Sequence, residues 1–160
     1  MPQSLANLYI HLIFSTKERF PYLTDAVRPD LHAYMATVLA NLNSPAVLIN
    51  SVADHVHVLF NMGRTVTLAQ VVEDVKKSSS KWIKTQDASL GTFAWQAGYG
   101  GFSVSESNVP KVANYIRKQA EHHRMKTFQE EYREFLTKHK MEYDERYVWD
   151  KAALSGLRPV

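Results

Sequence analysis

Apolar residues recur at two different periods along this chain, and each period predicts its own set of elements. Period two marks strands. Leu8 to Ser15 is a β-rich run that predicts a first strand, ended by the polar Thr16-Lys17-Glu18-Arg19. Ala46 to Val52 and His55 to Asn61 predict two more, joined as a hairpin around Ala53-Asp54. In the second of these Val56, Val58 and Phe60 share one face, so His55 and His57 share the other. Period 3.6 marks helices. Leu68, Val71, Val72, Val75, Ser79 and Trp82 fall on a single stripe and predict a helix from about Thr67 to Thr85. Thr24 or Asp25 would cap an earlier helix reaching Leu42, with Pro29 confining its regular part to the residues after it. Ser107 or Asn108, with Pro110, opens a third helix running to about His123. Thr127-Phe128-Gln129-Glu130 is a capping box for a fourth, through about His139. Phe93 to Ser105 is aromatic and glycine-rich and reads as a strand or short hairpin.

The order β-α-β-β-α-β-α predicts a mixed α/β fold. It is that of a ferredoxin-like split βαβ unit: an antiparallel sheet with helices on one face and extra C-terminal helices. Residues 1–125 are expected to form this domain, with 126–160 as a C-terminal helix and tail packed on it. Composition adds bounds. Apolar residues make up 45% and charged residues 22% of the 160, as in an ordinary globular protein. No stretch approaches the roughly 20 apolar residues that span a bilayer, and Met1-Pro2-Gln3-Ser4 does not begin a signal peptide. Cysteine is absent, which excludes disulfides and thiolate zinc sites and makes a cytoplasmic address the expectation, with no membrane partner. The net charge of +3 leans weakly toward a polyanionic partner.

The candidate chemistry begins with Asp54-His55-Val56-His57. Two imidazoles on one strand face converge, and burying them side by side is costly unless something binds their nitrogens. A divalent metal would do so, and so would ordinary hydrogen bonds; the pair alone leaves both readings open. The third helix carries Tyr115 and Gln119, four apart and therefore on one helical face. On the helical wheel Tyr115 flanks the buried stripe of Val109, Val112 and Ile116 rather than occupying its middle.

Together, a His-x-His strand followed by a Tyr-x-x-x-Gln helix resembles the single-tyrosine HUH transposases of bacterial insertion sequences, most nearly the REP-associated tyrosine transposases. The resemblance covers nearly the whole chain. It includes His11-Leu12-Ile13-Phe14-Ser15-Thr16-Lys17, Trp95-Gln96, Gly98-Tyr99, Phe102-Ser103-Val104-Ser105 and His122-His123-Arg124. Glu130-Glu131-Tyr132 and Glu142 to Asp150 also fit. It implies that residues 1–125 are an HUH catalytic domain. Tyr115 would be the catalytic nucleophile, and His55, His57 and Gln119 the ligands of Mg²⁺ or Mn²⁺. The implied reaction is cleavage and rejoining of single-stranded DNA, at or near hairpins, through a 5′-phosphotyrosine. The implied partner is single-stranded or hairpin DNA in the nucleoid, with the protein either a homodimer or a monomer.

Basic residues supply candidate DNA contacts: Lys17 and Arg19 after the first strand, Lys77, Lys81 and Lys84 on the second helix, and Arg117, Lys118 and Arg124 beside Tyr115. A solvated helix face explains the middle three equally well. Phe93, Trp95, Tyr99 and Phe102 could stack on unpaired bases or pack in the core. Gly98, Gly100 and Gly101 could admit DNA or form a turn. Two rival functions stay open on the sequence: a host-retained hairpin-binding protein without transposition, and a metal-dependent phosphodiesterase in which water attacks.

Overall fold

The computed structural model describes residues 3–143 and 148, and only the backbone of residues 122–124. The chain runs β1 (Tyr9–Ser15), α1 (Arg28–Asn41), β2 (Ala46–Ser51), β3 (His55–Asn61), α2 (Leu68–Ile83), β4 (Gly100–Val104), α3 (Val109–Arg117), α4 (Gln119–Met125) and α5 (Phe128–Lys138). Its four strands form one sheet in the order β2-β3-β1-β4, and every neighbouring pair is antiparallel. This is the expected ferredoxin-like arrangement, with β3 and β1 in the middle and β2 and β4 at the edges.

Strand alternation sorts the two faces. Leu12 and Phe14 from β1 join Val56, Val58 and Phe60 from β3 in the main core, which α1 covers with Leu31, Met35 and Leu39 and α2 with Val71, Val72 and Val75. The α2 stripe ends on Ile83 rather than Trp82, whose ring instead stacks on Tyr34. Ser79 sits fully buried in that stripe because its hydroxyl accepts a hydrogen bond from Trp95 Nε1 at 2.9 Å. The opposite face is covered by the C-terminal helices. Ala113 and Ile116 of α3 pack on Leu59, while Phe128, Tyr132 and Leu136 of α5 pack on Ile13 and Phe102.

Several boundaries differ from the sequence pattern. Helix α1 starts at Arg28, so Thr24 and Asp25 precede it: the Thr24 carbonyl accepts from the Val27 and Arg28 amides, and Asp25 ion-pairs with Arg28. The glycine-rich segment is a strand only from Gly100 onward. Its first part is a loop joined to the sheet by a bridge between Thr16 and Trp95 and by the Ser15 amide, which donates to Gln96 Oε1 at 2.6 Å. The expected third helix is broken at Lys118 into α3 and α4. At the break, Asn50 Nδ2 donates to the Ile116 carbonyl at 2.8 Å and the Arg117 carbonyl at 3.4 Å, occupying acceptors at the end of α3. The predicted cap of α5 forms, Thr127 Oγ1 accepting from the Glu130 amide, and α2 is capped in the same way by Thr67 Oγ1, which accepts from the Gln70 amide. Of the C-terminal motif, Asp144 to Tyr147, Trp149 and Asp150 lie outside the described residues, as does the rest of the tail.

Candidate active site

The site is built on the sheet face beneath the C-terminal helices. Residues that pair across antiparallel strands share a face, so Ile13 opposite His57 and Leu59 opposite His11 place His11, His55 and His57 on one side. His57 Nδ1 lies 2.7 Å from His11 Nε2, and His57 Nε2 lies 2.9 Å from Glu131 Oε1. His55 Nδ1 is 2.7 Å from Asp54 Oδ1. Its Nε2 is 3.2 Å from both Glu131 Oε1 and Gln119 Oε1. Tyr115 completes the set by donating its hydroxyl hydrogen to Glu131 Oε2. The two imidazole Nε2 atoms thus face one carboxylate oxygen, whose partner oxygen holds the tyrosine.

Burial makes these contacts obligatory. His57 and Gln119 are fully buried and Glu131 is 3% exposed, so each polar atom here depends on its neighbours rather than on water. Helix α5 roofs the site: the Phe128 ring lies 4.9 Å from the His55 ring, and Phe135 lies 5.0 Å from His11 and 5.6 Å from Tyr115. Alongside, a cavity of about 260 Å³ opens between α3 and α5, bordered by His11, Lys111, Tyr115, Phe135 and Lys138.

Burial also shifts the proton affinities. Desolvation alone would lower the His55 pKa, but its hydrogen bonds to Asp54 and Glu131, and the charge of those carboxylates, push it up to about 9. Burial likewise works to raise Glu131, yet hydrogen bonds from His55 and His57 hold its carboxyl far below the usual range. Tyr115 is driven well above the ordinary phenol value, first by burial and then by the Glu131 charge, with Gln119 pulling weakly the other way. His11 is held well below the ordinary imidazole value by burial and by His57. In this arrangement Tyr115 is a neutral phenol and Glu131 an anion.

The donor set suits a divalent cation. His55, His57 and Glu131 each offer a ligand atom, and these atoms lie within 4.8 Å of one another. With the Gln119 oxygen beside them, two imidazole nitrogens and two oxygens make a set that Mn²⁺ accepts readily and Mg²⁺ less so. The residues present therefore fit a metal.

The structure brings together Tyr115, His55, His57 and Gln119, the four residues singled out in the sequence. It adds Glu131, Asp54 and His11, to which the sequence pattern assigned no role. Glu131 had a signal: it lies at helical spacing with Phe128, Tyr132 and Leu136 on the buried stripe of α5, where a carboxylate requires a partner.

The basic residues separate into groups. Arg117 and Lys118 are exposed at the α3–α4 break, next to the site. Exposed Lys17 and half-buried Arg19 sit on the short turn after β1, where a cleft of about 550 Å³ runs between Arg19, Asp54, Lys126 and Glu130. Lys77, Lys81 and Lys84 belong to α2 and its end, across the sheet from the histidines. Arg124 lies on α4, with its side chain outside the described residues. Phe93, Trp95 and Phe102 are buried and engaged in packing, which removes them as free stacking platforms; Tyr99 is half-buried. Gly100 and Gly101 make room for the protein itself, for the Tyr132 ring and for Leu68, respectively.

The sequence matches the model of the family described as transposase IS200-like over residues 4–119, and the chain belongs to that family. Two solved structures share its fold. One is a candidate transposase from Deinococcus radiodurans R1, 23% identical, with a TM-score of 0.58 over 74% of this chain and 98% of that one. The other is a REP-associated tyrosine transposase bound to a REP hairpin, 10% identical, with a TM-score of 0.58 over 77% of this chain and 72% of that one. No curated protein sequence matches. Among the described residues no helix is long and apolar enough to cross a membrane.

Proposed function

We propose that this protein cleaves and rejoins single-stranded DNA at or near hairpins, with Tyr115 as the nucleophile. The observation that carries the reading is the meeting of Tyr115, His55, His57 and Gln119 in one buried contact set on a transposase-family fold. The Tyr115 oxygen attacks a phosphodiester phosphorus, the bond to the 3′ oxygen breaks, and a 5′-phosphotyrosine and a free 3′-OH result. Because the new linkage is also a phosphodiester, another 3′-OH can reverse the step. Glu131 Oε2 accepts the phenol hydrogen in the resting arrangement; in the attack the phenol gives up its proton and the departing 3′ oxygen takes one up from solvent. Mg²⁺ or Mn²⁺ held by His55, His57 and the Gln119 oxygen would polarise the scissile phosphate and stabilise the leaving oxygen.

On this reading α5 must shift for DNA to reach the site. Arg117 and Lys118 are the basic residues best placed to meet the backbone, and the protein acts on DNA in the cytoplasm. The test incubates the protein with labelled hairpin DNA carrying single-stranded flanks and Mn²⁺. A covalent adduct that disappears in Tyr115→Phe supports the proposal. Cleavage that survives Tyr115→Phe without an adduct means that water attacks. Hairpin binding without cleavage under any divalent metal means a binding protein. Either of these last two results overturns it.

A further inference from the structure

His11 lies in the central strand β1, 1% exposed, with its ring wedged between His57 and Phe135. A buried imidazole in a sheet interior is costly unless its nitrogens are used. Its side-chain hydrogen bond is to His57, Nε2 to Nδ1 at 2.7 Å.

For a neutral His57 that bond runs in two directions, set by the tautomer. In the arrangement described, Glu131 Oε1 accepts from His57 Nε2, so the proton of a neutral His57 is on Nε2 and its Nδ1 is bare. His11 Nε2 must then donate. A metal at His57 needs the opposite: Nε2 bare, the proton on Nδ1, and His11 Nε2 accepting. A carboxylate at position 11 could only accept and an ammonium could only donate. An imidazole does both by changing tautomer, without moving its ring. Each ring holds one proton before and after: His57 gives its Nε2 hydrogen to solvent as the metal binds and takes one at Nδ1 from His11 Nε2, while His11, which borders the cavity between α3 and α5, takes one from solvent at Nδ1.

We infer that His11 is a positioning residue, a reversible hydrogen-bond partner that lets His57 turn its Nε2 lone pair from Glu131 to a metal ion. The inference rests on the reading of His57 as a ligand. Asp54 occupies the corresponding place behind His55, but as an acceptor only.

The test measures Mn²⁺ affinity of the full-length protein from the electron paramagnetic resonance signal of the free ion. Wild type, His11→Phe, His11→Gln and His55→Ala are compared, with thermal melting to establish that each folds. Phe keeps a ring against Phe135 but has no nitrogen. Gln reaches the place of Nε2 with an amide that can donate or accept. The expected result is a loss of about 10- to 100-fold in affinity for His11→Phe, with substantial recovery in His11→Gln. A packing role alone predicts that Phe binds as wild type and at least as well as Gln, and that order overturns the inference while leaving the metal reading intact. If wild type shows no Mn²⁺ binding that His55→Ala removes, the metal reading falls and takes the inference with it.

Discussion

Tyr115 on α3 and Glu131 on α5 are joined by a direct hydrogen bond in which the phenol donates and the carboxylate accepts. The same carboxylate receives both histidines, so the candidate nucleophile and the candidate metal ligands are tied through one side chain. Replacing it by an amide removes the charge and keeps the shape. In Glu131→Gln the Tyr115 phenol should titrate closer to its ordinary value, and His55 should lose its proton below about 9. Ultraviolet titration, with Tyr115→Phe as the blank, and nuclear magnetic resonance of the His55 ring check the two shifts. Unchanged values would mean that burial governs Tyr115 and that Asp54, not Glu131, holds the His55 proton.

The raised His55 pKa makes the stability of the metal-free protein depend on pH. The folded state holds the His55 proton up to about 9, whereas an unfolded histidine releases it near 6.5. The stabilisation is therefore complete below 6.5 and is lost as pH rises through about 9. At 1.36 kcal/mol per unit it amounts to roughly 3 kcal/mol. Urea melts between pH 6 and 9.5 should fall by this order in wild type and much less in His55→Asn. A flat wild-type profile would contradict the assignment.

Metal binding should show the mirror-image dependence. A cation at His55 Nε2 displaces the proton that nitrogen carries, so Mn²⁺ affinity should rise with pH until about 9 and then level. Calorimetry in buffers of different ionisation enthalpy should detect the released proton. An affinity independent of pH over this range would place the ion elsewhere.

His57→Ala separates chemistry from binding. It should abolish adduct formation while hairpin affinity falls by less than about tenfold, because affinity for nucleic acid comes chiefly from phosphate contacts. A large loss of binding would mean that the histidines are architectural.

Gly100→Ala tests the packing of α5. A Cβ at this position would run into the Tyr132 ring, which contributes to the cluster holding α5 on the sheet. A destabilisation of about 1–3 kcal/mol is expected from overpacking, measured by urea unfolding. Gly98→Ala, whose Cβ meets nothing closer than 3.8 Å, is the control.

The parts legible in the sequence are those that depend on local period. Strand parity placed His55 and His57 together and opposite Val56, Val58 and Phe60, and the structure keeps that division. Spacing of four brought Tyr115 near Gln119, although for an incomplete reason: the two residues stand on different helices, and the carbonyl at the end of the first is met by Asn50, 66 positions before Ile116 in the chain. Glu131, Asp54 and His11 acquire their contacts only when α5, the β2–β3 hairpin and β1 come together, which no local pattern encodes. The glycine-rich segment misled for a similar reason. Its small residues answer to Tyr132 and Leu68, from helices far away in sequence.

That break has a mechanical meaning. Because Asn50 bonds the end of α3 from the edge strand β2, the junction that separates the tyrosine from the glutamine is anchored to the sheet. A disturbance of that outer strand, or of the residue at its Asn50 position, would re-aim one side chain relative to the other without altering either.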